Sequence, residues 1–104
     1  MTKLDQTFSA LGDGTRRAIL ARLTDGEATL SDIAAPFNIS QTAVSKHVRV
    51  LSEAGLVKVN KRGRTRYCSL RARPMKEAAD WLTDYQTFWQ DRFTALAKHL
   101  EAKP

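Results

Sequence analysis

The chain has 104 residues, the length of one ordinary domain, and its 42% hydrophobic and 27% charged residues exclude disordered and fibrous classes. No apolar run approaches the roughly 18 residues of a membrane span, no signal pattern opens the chain, and the lone Cys68 excludes a disulfide scaffold, so a soluble, cytoplasmic protein is expected. Seventeen Lys and Arg against eleven acids give a net charge of +6, which points to a polyanionic partner unless the bases are simply a solvated face.

Leu4, Phe8 and Leu11 recur at i, i+4 and i+7 and predict a first helix over about 4–11, which Gly12 interrupts. Asp13 is placed to cap a second helix carrying Ile19, Leu20 and Leu23, with Gly26 as its stop. Thr29, followed three residues later by Asp32, resembles a capping box with a shortened acid. It opens a brief helix with Leu30, Ile33 and Ala34 that Pro36 and Asn38 end.

Ser40 is the N-cap of the next helix, in which Val44, Val48 and Leu51 turn inward. Gln41, Thr42, Ser45, Lys46 and Arg49 are left on outward faces, and Gly55 is the C′ residue. A short helix, a turn of three or four residues and a longer helix, together about 30–54, make a helix-turn-helix. The second helix of that motif enters a major groove with its N-terminal residues at the base edges.

After Gly55 the period changes to 2. Leu56–Asn60 and Thr65–Leu70 read as strands of a hairpin over about 56–70, joined by Lys61, Arg62, Gly63 and Arg64. The basic excess is concentrated here: from Lys46 to Arg73 nine bases face one acid, Glu53, a local balance of +8 that leaves −2 for the rest. A cationic tip of this kind lies over phosphates or reaches a minor groove. On the alternating strand Cys68 shares a side with Arg66 and Leu70, which predicts packing beneath the hairpin.

Pro74 fits the first turn of a final helix over about 74–102. Its apolar positions are Met75, Ala78, Leu82, Tyr85, Trp89, Phe93, Leu96 and Leu100, with Trp81 and Phe88 in a second strip beside them. A helix of that reach is about 40 Å long, more than a domain of this size covers from one side. A symmetric partner is expected on it, unless the helix packs wholly on its own domain. The fold class is therefore mainly α with a small β-hairpin: a single winged helix-turn-helix domain over 1–104 with a long C-terminal helix.

Phe8 to Leu20, Ser40 to Leu51, Ala54 to Val57, Arg62 to Arg64 and Tyr67 to Leu70 together resemble the arsenic-repressor (ArsR/SmtB) family of bacterial winged-helix regulators. The order is collinear over nearly the whole chain, departing at Gly14, where a proline is common. The resemblance implies a homodimer held by the first and last helices, through Leu4, Phe8, Leu11, Leu82, Tyr85, Trp89, Phe93 and Leu96. It implies binding of a twofold-symmetric duplex DNA operator and, usually, repression. The DNA-contacting residues are then Ser40, Gln41, Thr42, Ser45, Lys46 and His47 on the recognition helix, with Lys61, Arg62, Arg64 and Arg66 in the wing.

Many members of that family sense metals. The Cys-x-Cys pair of one family site falls on Thr29 and Ser31 here, and hydroxyls are poor ligands for thiophilic metals. The other family site falls on Asp84, Gln86, Ala97 and Leu100, which keeps one ligand of four. No metal site and no cofactor are expected. The effector is left open: the aromatic strip could line a small-molecule pocket, and Cys68 could act as a single-thiol sensor. No phosphate loop, Ser-His-Asp order or ligand cluster points to an enzyme. A winged helix used for protein contact, or one that binds RNA, is the remaining alternative to duplex DNA.

Overall fold

A computed structural model describes residues 2–101, apart from the side chains of Thr87 and Trp89. In chain order the elements are α1 (Lys3–Leu11), α2 (Gly14–Leu23), β1 (Ala28–Thr29), α3 (Leu30–Ala34), α4 (Gln41–Glu53), β2 (Val57–Arg62), β3 (Thr65–Leu70) and α5 (Arg73–Glu101). The fold is a winged helix-turn-helix, with the helices around a small antiparallel sheet of order β1-β3-β2.

Local chemistry sets the helix starts. Thr2 and Thr29 each accept from the backbone N–H three residues on, and Asp5 and Asp32 reach back to complete the two capping boxes. Asp13 caps α2 through Arg16 N–H at 3.0 Å, and Ser40 caps α4 through Ala43 N–H at 3.1 Å. The carbonyl end of α1 is held from α2: Arg16 donates to Ala10 O at 2.6 Å and Ser9 O at 3.1 Å, and Arg17 to Leu11 O at 2.7 Å. Two guanidinium groups there satisfy orphan carbonyls and complement the negative end of the helix.

The core joins Ile19, Leu20 and Leu23 of α2, Ile33 of α3, Val44, Val48 and Leu51 of α4, then Leu56, Val57 and Cys68. Each fully buried aliphatic side chain contributes about 1.5–3 kcal/mol. From α1 the buried residues are Thr7 and Ala10, small side chains that let the helix approach closely. The Thr7 hydroxyl is satisfied within its own helix, donating to Lys3 O at 3.1 Å. Leu11, four residues after Thr7, turns to the same side and packs on the core edge.

Three features differ from the pattern read in the sequence. β1 pairs Ala28 with Cys68 and Thr29 with Tyr67, giving the hairpin a third strand too short to show alternation. The connection from α3 to α4 takes residues 35–40, six rather than three or four, because Phe37 dips back against the core. Lys61 and Arg62 are strand residues, paired with Arg66 and Thr65. The turn is therefore only Gly63-Arg64, with Gly63 at φ 62° and, among the described residues, no non-glycine residue at positive φ. That is the pattern of a two-residue II′ hairpin, whose twist matches the strands.

α5 leaves the body of the protein. Ala78 is buried and Met75 packs on the core edge, but every described side chain from Ala79 onward is exposed. The molecule measures 66 × 30 × 23 Å, with a radius of gyration of 18.3 Å against about 13 Å for a compact 100-residue domain. Among the described residues, no helix is long and apolar enough to cross a membrane.

Candidate nucleic-acid interface

α4 buries Val44, Val48 and Leu51 and so fixes which of its residues face out. Gln41, Thr42, Lys46 and Arg49 are exposed, while Ser45 and His47 are half-buried on its flanks. Ser40 spends its hydroxyl on the cap, which leaves the first-turn amides of α4 at the exposed, positive end of the helix dipole. Arg49 is engaged along its own helix with Glu53 at 3.1 Å.

The sheet sorts the wing cations onto two faces. Lys61 and Arg66 sit directly opposite one another on the face shared with Val59 and Cys68, which is the side of α4. Arg66 lines a hollow with Ser45 and Arg49 of α4. Arg64 and Arg66 border a second groove of about 310 Å³ with Gln41, Thr29 and Ser31. The first turn of α4 and the wing thus form the two walls of one groove. Among the described residues, Lys46, Lys61, Arg64 and Arg66 have no carboxylate partner.

Arg62 is different. It lies on the opposite face, where its guanidinium bonds the Glu27 carboxylate and sits 4.0 Å from the centre of the Tyr67 ring. Glu27 immediately precedes β1, so the unexpected third strand delivers this partner. Thirty-five residues separate Glu27 from Arg62, and no local pattern announces the pair. Tyr67 alternates onto the same face as Arg62, a signal that was available once β3 had been placed.

His47 also has a partner. Its Nδ1 lies 3.8 Å from Asp13 Oδ2, which joins the recognition helix to the cap of α2. The Asp13 carboxyl is held below the ordinary aspartate value chiefly by the Arg16 N–H that it accepts, with the nearby His47 and Arg16 charges adding to this. Cys68 is buried, and burial raises its thiol pKa, with the Glu27 charge in support.

Six of the apolar residues expected between two copies, Leu4, Phe8, Leu82, Tyr85, Phe93 and Leu96, keep exposed surface on α1 and α5. Leu4 and Phe8 are half-buried, whereas Leu82, Tyr85, Phe93 and Leu96 are 47–65% exposed. The side chain of Trp89 lies outside the described residues. Leu11 turns away, to an apolar hollow with Leu20, Leu70 and Met75.

A helix-turn-helix domain model matches residues 11–60, the segment that contains α2, α3 and α4. The transcriptional repressor SdpR of Bacillus subtilis is 33% identical over 82 residues, covering 79% of this chain and 91% of that protein. The HTH-type transcriptional regulator Rv2034 of Mycobacterium tuberculosis is 34% identical over 99 residues, covering 95% of this chain and 90% of its own. The crystal structure of the ArsR family transcriptional regulator RHA00566 superposes with a TM-score of 0.77 at 38% identity, over 85% of this chain and 91% of that one. The chain belongs to the ArsR/SmtB family of winged helix-turn-helix transcriptional regulators.

The residues on which the resemblance places the family's metal ligands have other surroundings here. Thr29 accepts from Asp32 N–H at 3.0 Å as the cap of α3, and Ser31 stands exposed beside it at the groove. Asp84, Gln86, Ala97 and Leu100 are exposed along α5. Among the described residues, no three His, Cys, Asp or Glu side chains come together as a metal site.

Proposed function

We propose that this ArsR/SmtB protein is a homodimeric, sequence-specific duplex DNA-binding repressor of transcription, acting on a twofold-symmetric operator without a metal signal. The observation that carries the reading is the groove in which Gln41 of α4 faces Arg64 and Arg66 of the wing. An amide at the exposed start of a recognition helix can pair bidentately with adenine, while the arginines neutralise flanking phosphates. Lys61 and Arg66 are held opposite each other with no acid between them. Like charges in that position are destabilising, a cost that a bound phosphate removes.

On this reading Thr42, Ser45 and Lys46 add contacts along the groove. Ser40, through its hydroxyl proton, and the first-turn amides it leaves uncapped take a phosphate, and His47 holds α4 against α2 beside the backbone. The uncovered apolar length of α5 supports the dimer, whose two recognition helices then meet successive major grooves about 34–36 Å apart. The name of the similar repressor from Bacillus subtilis supports repression. The hydroxyls at Thr29 and Ser31 support independence from thiophilic metals.

The test is a fluorescence-anisotropy titration of the purified protein against its own upstream promoter duplex and a scrambled duplex, near physiological salt, with EDTA and with zinc. Sequence-selective binding that ignores both additions is expected. Equal weak binding to both duplexes, or a zinc-dependent change, overturns the corresponding part of the proposal.

A further inference from the structure

Arg62 is the wing cation already engaged by an anion within its own chain. It stands at the end of β2, next to the Gly63-Arg64 turn. Its guanidinium nevertheless bonds the Glu27 carboxylate while resting on the face of Tyr67. A carboxylate offers a guanidinium the same two-oxygen edge as a phosphate, so the two compete for the same N–H donors. Glu27 and Arg62 are 37% and 57% exposed at their side chains, so the pair is weak enough for a polyanion to displace. The Tyr67 ring engages the guanidinium by its face, which leaves N–H edges for whichever anion is present.

We infer that Glu27 is a built-in competitor of the DNA backbone: it parks Arg62 on Tyr67 in the free protein and must release it when the wing meets phosphate. Glu27 is thus a positioning residue that weakens binding. The inference rests on the wing being a DNA contact, and it concerns only the state of Arg62 before and after contact.

The experiment measures duplex affinity across salt for wild type, Glu27→Gln, Arg62→Ala, the double variant, and Glu77→Gln. Glu77 pairs with Arg73 on α5 at 3.8 Å, so Glu77→Gln makes the same charge change away from the wing. Thermal unfolding of each free protein confirms folding; both acids are surface residues and glutamine preserves their shape.

Glu27→Gln is expected to tighten binding about 1.4- to fivefold per wing, the range an exposed ion pair commands. It should also steepen the salt slope by up to about 0.9 per wing. Arg62→Ala should weaken binding, Glu27→Gln should have little further effect in its presence, and Glu77→Gln should change affinity less. Unchanged or weaker binding by Glu27→Gln, with Arg62→Ala still harmful, overturns the competitor role and leaves the wing contact standing. Arg62→Ala without effect removes Arg62 from the DNA and the inference with it. A Glu77→Gln gain equal to that of Glu27→Gln reduces the effect to net charge and also overturns it.

Discussion

Phe8 of α1 meets Trp81 of α5 edge to face, with ring centroids 5.6 Å apart and planes at 68°. Trp81 in turn touches Tyr85 one helical turn further on, at 5.0 Å. This aromatic chain begins where α5 has lost the core, since Ala78 is its last buried residue among those described. It couples α1 to the exposed part of α5, where Leu82, Tyr85, Phe93 and Leu96 lie at the surface.

That coupling is measurable. Phe8→Ala and Trp81→Ala should each destabilise the protein in urea unfolding. Their double-mutant cycle should show about 0.5–1.5 kcal/mol of interaction, the usual worth of an aromatic pair beyond its buried area. Strictly additive losses would mean that the two rings are neighbours without mutual stabilisation.

Leu82 and Leu96 test the surface itself. Each is 53% exposed in the single chain, so Leu82→Glu with Leu96→Glu should leave the monomer fold intact while repelling a second copy. The double variant is expected to sediment as a monomer, to lose the concentration dependence of its melting temperature, and to bind the operator far more weakly. A wild type that sediments as a monomer at micromolar concentration would remove the dimer from the proposed function.

Much of this architecture was legible because it rests on local chemistry. Asp13, Thr29 and Ser40 each stand just before a helix with a backbone N–H three residues on to accept, so caps announce themselves without tertiary knowledge. The spacing of Val44, Val48 and Leu51 likewise fixes which face of α4 is free. What could not be read depends on distant pairing. β1 exists only because Ala28 and Thr29 meet Cys68 and Tyr67, and the Glu27–Arg62 contact follows from that strand. Thr7 escaped because a threonine looks polar until its hydroxyl is seen bonded to Lys3 O. The wing is legible as two β-rich runs joined by a basic tip, but its division into an α4-facing pair, Lys61 and Arg66, and an outward Arg62 requires the register.

The groove between the start of α4 and the wing predicts two different losses on DNA. Gln41→Ala should relax preference at one base pair per half-site in a randomised-operator selection and leave the salt slope intact. Lys61→Ala, Arg64→Ala and Arg66→Ala combined should weaken all sequences alike and flatten the slope by up to about 0.9 for each phosphate contact removed. Recovery of the wild-type motif with Gln41→Ala, or an unchanged slope with the triple variant, would reverse the assignment of readout and anchoring.

Asp13 gives the pH dependence a sign. Its native pKa lies below the ordinary 3.8, first because Arg16 N–H donates to the carboxylate. A depressed native value means that the unfolded chain binds the proton more readily. The stabilisation is therefore present above the ordinary aspartate range and is lost as pH falls through the native value. Acid titration of thermal stability should show Asp13→Asn losing less than wild type below about pH 4. Parallel curves would mean that the cap is indifferent to the charge.

Cys68 offers the last check, on whether a thiol could be the signal. The residue is buried against the core, paired in register with Val59 and Ala28, and burial raises its pKa above the ordinary 9.0. At neutral pH the reactive thiolate is scarce and reagents have no direct approach. A thiol-reactive chromophore should label the native protein slowly, at a rate set by local opening, and rapidly once urea unfolds it. Hydrogen peroxide should accordingly leave operator affinity unchanged on the timescale that oxidises an exposed cysteine. Fast stoichiometric labelling of the folded protein, with a matching loss of DNA binding, would make Cys68 a sensor and show that the wing opens far more readily than its packing implies.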